Sequence, residues 1–194
     1  MKIDNHFDVI IIGAGAAGLI CAMESGKRGK SVLLIDHSKK IGEKIRISGG
    51  GRCNFTNLNT HHSKFISKNN KFMVSALSQY TQYDFIKLVE SHKIKFHEKK
   101  LGQLFCDESS QQIIDMLLAE CEKSGVTLFK EKIVSNIFKN ENSYSIDLGD
   151  TSYTSSSLVV STGGLSVPKI GATKFGYDIA KKFGLEIIDP SAAL

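Results

Sequence analysis

The chain has 194 residues, of which 41% are hydrophobic and 23% charged, as in an ordinary globular protein large enough to bury a full core. The 2 prolines and 17 glycines exclude collagen-like and proline-rich disordered classes. Basic residues exceed acidic ones by 25 to 20, but 22 of the 25 are lysines at scattered positions. Scattered lysines favour a solvated surface, so we expect no nucleic-acid partner.

The start of the chain carries no pattern of a membrane span or a secretion signal. The apolar run at residues 9–12 is too short to cross a bilayer. Lys2 is followed by Asp4 and not by a signal-type apolar region. We therefore expect a cytoplasmic protein that does not bind a membrane.

The cysteines and histidines predict no metal site. No C-x-x-C pair exists among the four cysteines, so neither a zinc site nor a redox-active dithiol is expected. His61 and His62 form the only adjacent histidine pair. In a reducing compartment we expect four free thiols, most of them buried as small apolar side chains.

A strand, a glycine-rich turn, a helix and a second strand open the chain. Residues 7–12 and 31–35 are nearly all apolar, as in strands buried on both faces of a parallel sheet. Between them, residues 16–28 are predicted to form a helix with Leu19, Ala22 and Met23 on one face. Such a βαβ unit is parallel and right-handed.

The rest of the chain predicts a mixed α/β arrangement. We expect helices at residues 73–79, 83–92, 110–124 and 174–183, a hairpin-like region at 94–105 and a third parallel strand at 126–129. Three further strands, at 133–138, 144–148 and 153–160, are separated by turn-like residues. They predict an antiparallel meander lying against the sheet as a crossover, which completes a Rossmann-like α/β domain.

The first turn carries a dinucleotide-binding fingerprint, Gly13-x-Gly15-x-x-Gly18. Gly13 would permit the sharp turn, Gly15 the close approach of a pyrophosphate, and Gly18 close packing of helix on strand. Ala16 and Ala17 begin the helix, whose unsatisfied N–H groups favour phosphate binding.

Asp36 stands at the end of the second strand, 23 residues after Gly13. Its carboxylate could accept hydrogen bonds from a ribose diol and would repel a 2′-phosphate, which disfavours NADP at this site. The fingerprint by itself does not distinguish FAD from NAD, and a structural tight turn is the alternative interpretation.

A second glycine cluster lies in residues 44–57, KIRISGGGRCNFTN. This segment resembles the signature of the aminoacetone oxidase/BaiN/YhiN-like family of FAD-dependent oxidoreductases. Leu104 and Phe105 and the segment TGGLSVPKIGAT at residues 162–173 add to the resemblance, although Cys106 stands where that family usually has proline. The resemblance spans nearly the whole chain and implies a Rossmann-like FAD-binding domain with a parallel sheet, a crossover helix and an antiparallel β-meander.

Several side chains of the second cluster suit a cofactor. Consecutive glycines permit positive φ and the approach of N–H groups to a ring or a phosphate. The candidate cofactor-binding residues of this loop are Lys44, Gly50, Gly51, Arg52, Cys53 and Asn54. Lys44 and Arg52 would supply positive charge and Asn54 hydrogen bonds. Cys53 is interpreted as a packing residue, with thiol redox chemistry as the alternative.

The resemblance implies roles for three further residues. The backbone of Val134 would face the adenine, and Thr162 and Gly163 would contact the dinucleotide. Phe175 replaces an acidic residue typical of the family, so we assign no binding role to the segment around it.

The function indicated is that of an FAD-dependent oxidoreductase in which flavin N5 passes electrons between a small-molecule substrate and a donor such as NAD(P)H. No catalytic acid or base stands out. Similar flavoproteins are about twice as long, so we expect residues 1–194 to be an FAD-binding domain that ends before a substrate-side domain and a returning flavin-binding segment. The alternatives are a flavin- or nucleotide-binding module without turnover and a single-domain NAD-dependent dehydrogenase.

Overall fold

The computed structural model describes residues 5–190 and divides the chain into two compact units. Unit 1 comprises Met1–Glu43 and Glu120–Leu194, and unit 2 is Lys44–Ala119. The expectation drawn from Lys2 and Asp4 lies outside the described residues. Within the described residues, no helix combines the length and apolar character needed to span a membrane.

The described chain contains nine strands and six α-helices, joined by turns and short 3-10 helices. The strands are β1 (His6–Ile12), β2 (Val32–Ile35), β3 (Asn54–Asn57), β4 (Phe96–Glu98), β5 (Gln103–Cys106), β6 (Thr127–Phe129), β7 (Asn136–Lys139), β8 (Tyr144–Asp147) and β9 (Ser152–Val160). The helices are α1 (Ala16–Lys27), α2 (Glu43–Ile47), α3 (Val74–Gln79), α4 (Gln82–Ser91), α5 (Gln111–Lys123) and α6 (Phe175–Lys182).

Unit 1 is built on a six-stranded sheet in the order β6-β2-β1-β9-β8-β7. The first four of these strands are parallel, which confirms the predicted Rossmann-like α/β fold. Ile12 at the end of β1 lies opposite Ile35 on one side and Val160 on the other. The carboxyl ends of three strands therefore meet at one edge, where ligands of open α/β sheets bind.

The antiparallel meander continues this sheet edge to edge and does not stack on it. β9 pairs with β8 through residues 152–155 and with β1 through residues 154–160. A nine-residue strand is long enough to serve both neighbours, so the expectation of a separate layer is corrected. The first meander strand also starts later than predicted, at Asn136, since Ile133 is 74% exposed and Val134 precedes the strand.

The core of unit 1 explains why its buried strands have nearly continuous apolar sequences. Ile10 and Ile11 point to opposite faces of β1, and both are completely buried. On α1, the predicted face of Leu19, Ala22 and Met23 is buried. Side chains of α6 pack against the cluster that contains Ile10, so helices contribute to the burial of a sheet whose central strands β1 and β2 are mainly apolar.

Unit 2 contains a three-stranded antiparallel sheet in the order β3-β5-β4. The β4–β5 pair confirms the predicted hairpin-like region. β3 was not predicted, because its residues follow the glycine cluster directly. Phe55 on β3 packs edge-on against Phe96 with ring centroids 5.4 Å apart, and it also contacts Phe85 of α4.

Candidate functional site

The turn after β1 is closed by three backbone segments of unit 1. Gly13 has φ +103°, and a Cβ there would lie 2.7 Å from the carbonyl carbon of Ser161. A Cβ at Gly18 would lie only 1.8 Å from the carbonyl oxygen of Gly13. The Ser161 hydroxyl donates to this same oxygen at 2.8 Å. Gly13 and Gly18 are thus required by packing, as the sequence predicted for the turn.

Gly15 has no such internal reason to be glycine. Its φ of −81° and ψ of −172° are open to any residue. A Cβ built there meets no described heavy atom within 4 Å. The space in front of Gly15 is therefore open, and this is the cradle that a bound pyrophosphate would need.

The start of α1 beside Gly15 suits an anion. Within the described residues, no side chain caps this helix and its first turn holds no acidic residue. Ala16 and Ala17 are exposed, so their short side chains leave the first N–H groups accessible. Unsatisfied N–H groups and the positive end of the helix dipole attract phosphate.

Asp36 is held in place by backbone donors at the end of β2. Its Oδ2 accepts from the Ala14 amide at 2.7 Å, and its Oδ1 accepts from the Ser38 amide at 2.8 Å. The side chain is 11% exposed. Each carboxylate oxygen keeps a further lone pair, so the carboxylate is oriented by the protein and still able to accept from a ribose hydroxyl.

The remaining predicted residues of unit 1 lie on loops after its strands. The backbone amide of Lys132 donates to the carbonyl of Asp36 at 3.1 Å, which brings the loop leading to Val134 beside Asp36. Val134 itself is half-buried against the core cluster. Thr162 and Gly163 follow Ser161 directly, and Gly163 has φ +76°. The sheet edge thus gathers the fingerprint, Asp36 and the segment after β9.

In unit 2 the second glycine cluster forms a left-handed turn. Gly49, Gly50 and Gly51 have φ of +59°, +66° and +84°. A Cβ at Gly49 would collide with the Phe105 ring at 2.6 Å, whereas Cβ atoms at Gly50 and Gly51 meet no described heavy atom within 4 Å. The loop therefore presents backbone to open space at two positions, as a cofactor-contacting loop must.

Charged side chains around this loop are partly committed to the unit itself. Arg52 is exposed, yet its Nη1 donates to the backbone carbonyl of Asp107. Arg46 Nη1 donates to the side-chain oxygen Oε1 of Gln111. Lys44 and Asn54 are exposed. The guanidinium of Arg52 thus anchors the loop and keeps further N–H donors for a ligand.

Cys53 has a neighbour that the sequence did not indicate. Because Asn54 lies opposite Phe105 in the β3–β5 pair, the adjoining residues Cys53 and Cys106 come next to each other. Both thiols are buried. Burial raises the pKa of Cys53, and burial together with the nearby Cys53 raises the pKa of Cys106 to about 11. Both are neutral thiols at neutral pH, consistent with packing residues.

Two further features escaped the sequence analysis. Ser161 ties the end of β9 to the fingerprint turn through bonds to the carbonyls of Ile12 and Gly13. In unit 2, His97 Nδ1 lies 2.7 Å from Asp107 Oδ1, and the imidazole is half-exposed. Ser161 has no local sequence signal because β9 and the fingerprint turn are distant in the chain, whereas the His97–Asp107 contact depends on the register of the β4–β5 hairpin.

Known proteins are similar to this chain over most of its length. Residues 7–193 match the family described as HI0933-like protein Rossmann domain. The chain is 52% identical over 190 residues to a protein of Escherichia coli named ribosomal RNA dihydrouridine synthase, covering 98% of this chain and 48% of that protein. It is 22% identical over 177 residues to the 3-dehydro-bile acid delta(4,6)-reductase of Clostridium scindens, covering 90% of this chain and 43% of that protein.

Among solved structures, the open conformation of a flavocytochrome c3 fumarate reductase superimposes with a TM-score of 0.61 at 18% identity. The match covers 93% of this chain and 41% of that structure. At this identity the likeness supports the fold alone. The chain spans about half the length of the curated relatives described above.

Proposed function

The chain belongs to the HI0933-like protein Rossmann-domain family, and from that premise we propose that it is the FAD-binding part of an oxidoreductase that converts uridine in ribosomal RNA to dihydrouridine. The observation that carries the proposal is the 52% identity to the Escherichia coli ribosomal RNA dihydrouridine synthase over 98% of this chain. This proposal replaces the expected small-molecule substrate with an RNA substrate, and it departs from the expectation of no nucleic-acid partner.

Each unit, taken by itself, carries residues that fit a part of FAD. In unit 1, the open space at Gly15 and the uncapped start of α1 would hold the pyrophosphate, and Asp36 would accept from the ribose. In unit 2, a Cβ at Gly50 or Gly51 would meet open space, so the backbone there can approach a ligand closely, and Arg52 adds positive charge. When bound, FAD supplies a two-electron carrier able to deliver hydride. NAD(P)H is our proposed source of those electrons.

Forming dihydrouridine adds one hydride and one proton across the C5=C6 double bond of uracil. A protein with this activity must therefore place a proton donor near the base. His97 is the side chain of unit 2 that suits this role, because Asp107 orients its imidazole through Nδ1 and half of the side chain is exposed. Replacing it, His97→Gln, should lower dihydrouridine formation and leave FAD binding unchanged.

The test of the proposal has two separate readouts. FAD binding is measured as the absorbance of oxidised flavin at about 450 nm in the purified protein. Activity is measured by incubating the natural protein that contains this chain with protein-free ribosomal RNA and NAD(P)H, and detecting dihydrouridine by mass spectrometry. Bound flavin without dihydrouridine would refute ribosomal RNA as the substrate. An absence of bound flavin would refute the cofactor and the function together.

Asp36 gives the sharpest test of cofactor placement. Asp36→Ala should weaken FAD binding by roughly 1.5–3 kcal/mol, the range for a charge-assisted hydrogen bond. The same change also removes the acceptor for the Ala14 and Ser38 amides, so Asp36→Asn, which keeps one acceptor oxygen, is the matched control. Unchanged affinity in titrations of both variants would remove Asp36 from the ribose site.

A further inference from the structure

The net positive charge of this chain comes from one stretch of unit 2. From residue 44 to residue 83 the sequence holds six lysines and arginines and no aspartate or glutamate. The other residues hold 19 basic and 20 acidic side chains, so the net charge of +5 comes entirely from this stretch. The lysines are thus scattered along the chain, but their uncompensated charge is local.

Within this stretch, residues 61–74 combine basic and apolar side chains on the surface, and we call them the basic–aromatic segment. Lys64, Lys68 and Lys71 are exposed, and in the described part of the chain none of them forms an ion pair. Phe72 is 72% exposed and Ile66 is fully exposed. Two large apolar side chains this exposed in one short segment make it a candidate surface for a partner.

The composition of the segment selects the kind of partner. Lysines without acidic neighbours favour a polyanion, whose phosphates they neutralise with release of counterions. The exposed ring of Phe72 beside Lys71 is a platform on which an unpaired base can stack. An ordinary protein surface would meet the rings but would leave the lysines uncompensated unless it were strongly acidic.

We propose that the basic–aromatic segment contacts single-stranded or looped RNA, with Lys64, Lys68 and Lys71 on phosphates and Phe72 stacked on a base. The inference rests on the proposed function, since it identifies the surface of this chain that receives the RNA substrate. It assigns affinity to residues that neither the fingerprint nor the second glycine cluster includes.

The test measures RNA binding by the natural protein, loaded with FAD, by fluorescence anisotropy of a labelled oligouridylate across a salt titration. Replacing Lys64, Lys68 and Lys71 together by glutamine should reduce the magnitude of the slope of log affinity against log salt concentration by about 2. Each phosphate contact on a single strand contributes about 0.7 to that slope. Phe72→Ala should weaken binding by about 5- to 150-fold without changing this slope.

A charge-matched control is available in unit 1. Lys130, Lys132 and Lys139 are exposed, and replacing them by glutamine lowers the net charge by the same amount. We expect this control to keep nearly the wild-type slope. An equal loss in both triple variants would show that only net charge matters and would overturn the proposal, as would wild-type binding by the Lys64, Lys68 and Lys71 variant.

Two outcomes separate this inference from the proposed function. Dihydrouridine formation that is equally efficient in wild type and in the segment variants would refute the surface and leave the function standing. An absence of RNA binding and of dihydrouridine in the wild type would refute both.

Protection of Lys64, Lys68 and Lys71 from acylation in the RNA-free natural protein would show that another part of the protein or a second copy covers the segment, which also overturns the proposal.

Discussion

The two glycine clusters of this chain use glycine for different physical reasons. In the fingerprint of unit 1, Gly18 is required by contact, since its Cβ would lie inside the carbonyl of Gly13. In the loop of unit 2, Gly50 is required by conformation, with φ of +66° and open space beside it. Neither contact nor conformation requires glycine at position Gly15. Comparing the clusters therefore separates glycines that packing or backbone conformation requires, such as Gly18 and Gly50, from Gly15, which neither requires.

The largest expected effect is on the packed position. Gly18→Ala should lower the free energy of unfolding by about 3 kcal/mol or more, because the added methyl meets backbone that cannot move aside. A Cβ there would be 1.8 Å from the Gly13 carbonyl oxygen and 2.7 Å from Ser161 Oγ. Urea unfolding measures the change. A loss below about 1 kcal/mol would show that α1 can shift and that the turn is less tightly packed than described.

The second prediction concerns the open position of the same turn. Gly15→Ser should leave the unfolding free energy within about 0.5 kcal/mol of wild type, because serine is a better N-cap than glycine. It should weaken FAD binding by about 2 kcal/mol by occupying the space needed by a pyrophosphate. Isothermal titration and urea unfolding of the same samples test both parts. Wild-type FAD affinity would mean that the space in front of Gly15 serves another purpose.

The sequence predicted the parts of this contrast that depend on local pattern. The strand expected at residues 7–12 is β1 at His6–Ile12, and the helix expected at residues 16–28 is α1 at Ala16–Lys27. Strands buried on both faces and a helix with one apolar face leave clear signals in composition and spacing.

Features that depend on pairing between distant segments could not be predicted. The proximity of Cys53 and Cys106 follows from the register of β3 on β5, and β3 itself has only four residues. The hydroxyl of Ser161 reaches Gly13 across 148 positions of sequence. Val134 was placed on a strand because an apolar run suggested one, but Ile133 beside it is exposed and pairing starts only at Asn136.

The third prediction tests the left-handed loop of unit 2 against a matched glycine of unit 1. Asparagine tolerates left-handed backbone, so Gly50→Asn should fold and weaken FAD binding by about 1 kcal/mol through its added side chain. Gly29 has φ +73° and the same open surroundings, and it lies after α1, away from the fingerprint, so Gly29→Asn is the control. Equal FAD affinity in the two variants would make the unit 2 loop a structural turn only.

The last prediction compares the two units through one buried thiol in each. Burial raises the pKa of Cys121 in unit 1 and of Cys106 in unit 2 from 9.0 to about 11. A pKa raised on folding means that the folded state keeps a proton that the unfolded state loses. The corresponding stabilisation is complete below pH 9.0 and is lost as the pH rises toward about 11.

Each thiol should therefore cost about 1 kcal/mol of stability between about pH 8 and pH 10. The measurement is the difference in unfolding free energy between those two pH values, for wild type, Cys121→Ala and Cys106→Ala. Taking the difference between the two pH values within each protein removes the free-energy cost of the cavity left by alanine. Comparing that difference between variant and wild type removes the contribution of lysine and tyrosine titration. The half-buried Cys21 supplies the control variant Cys21→Ala. If only Cys121→Ala reduces the alkaline loss, Cys106 reaches solvent without global unfolding, and unit 2 opens separately from unit 1.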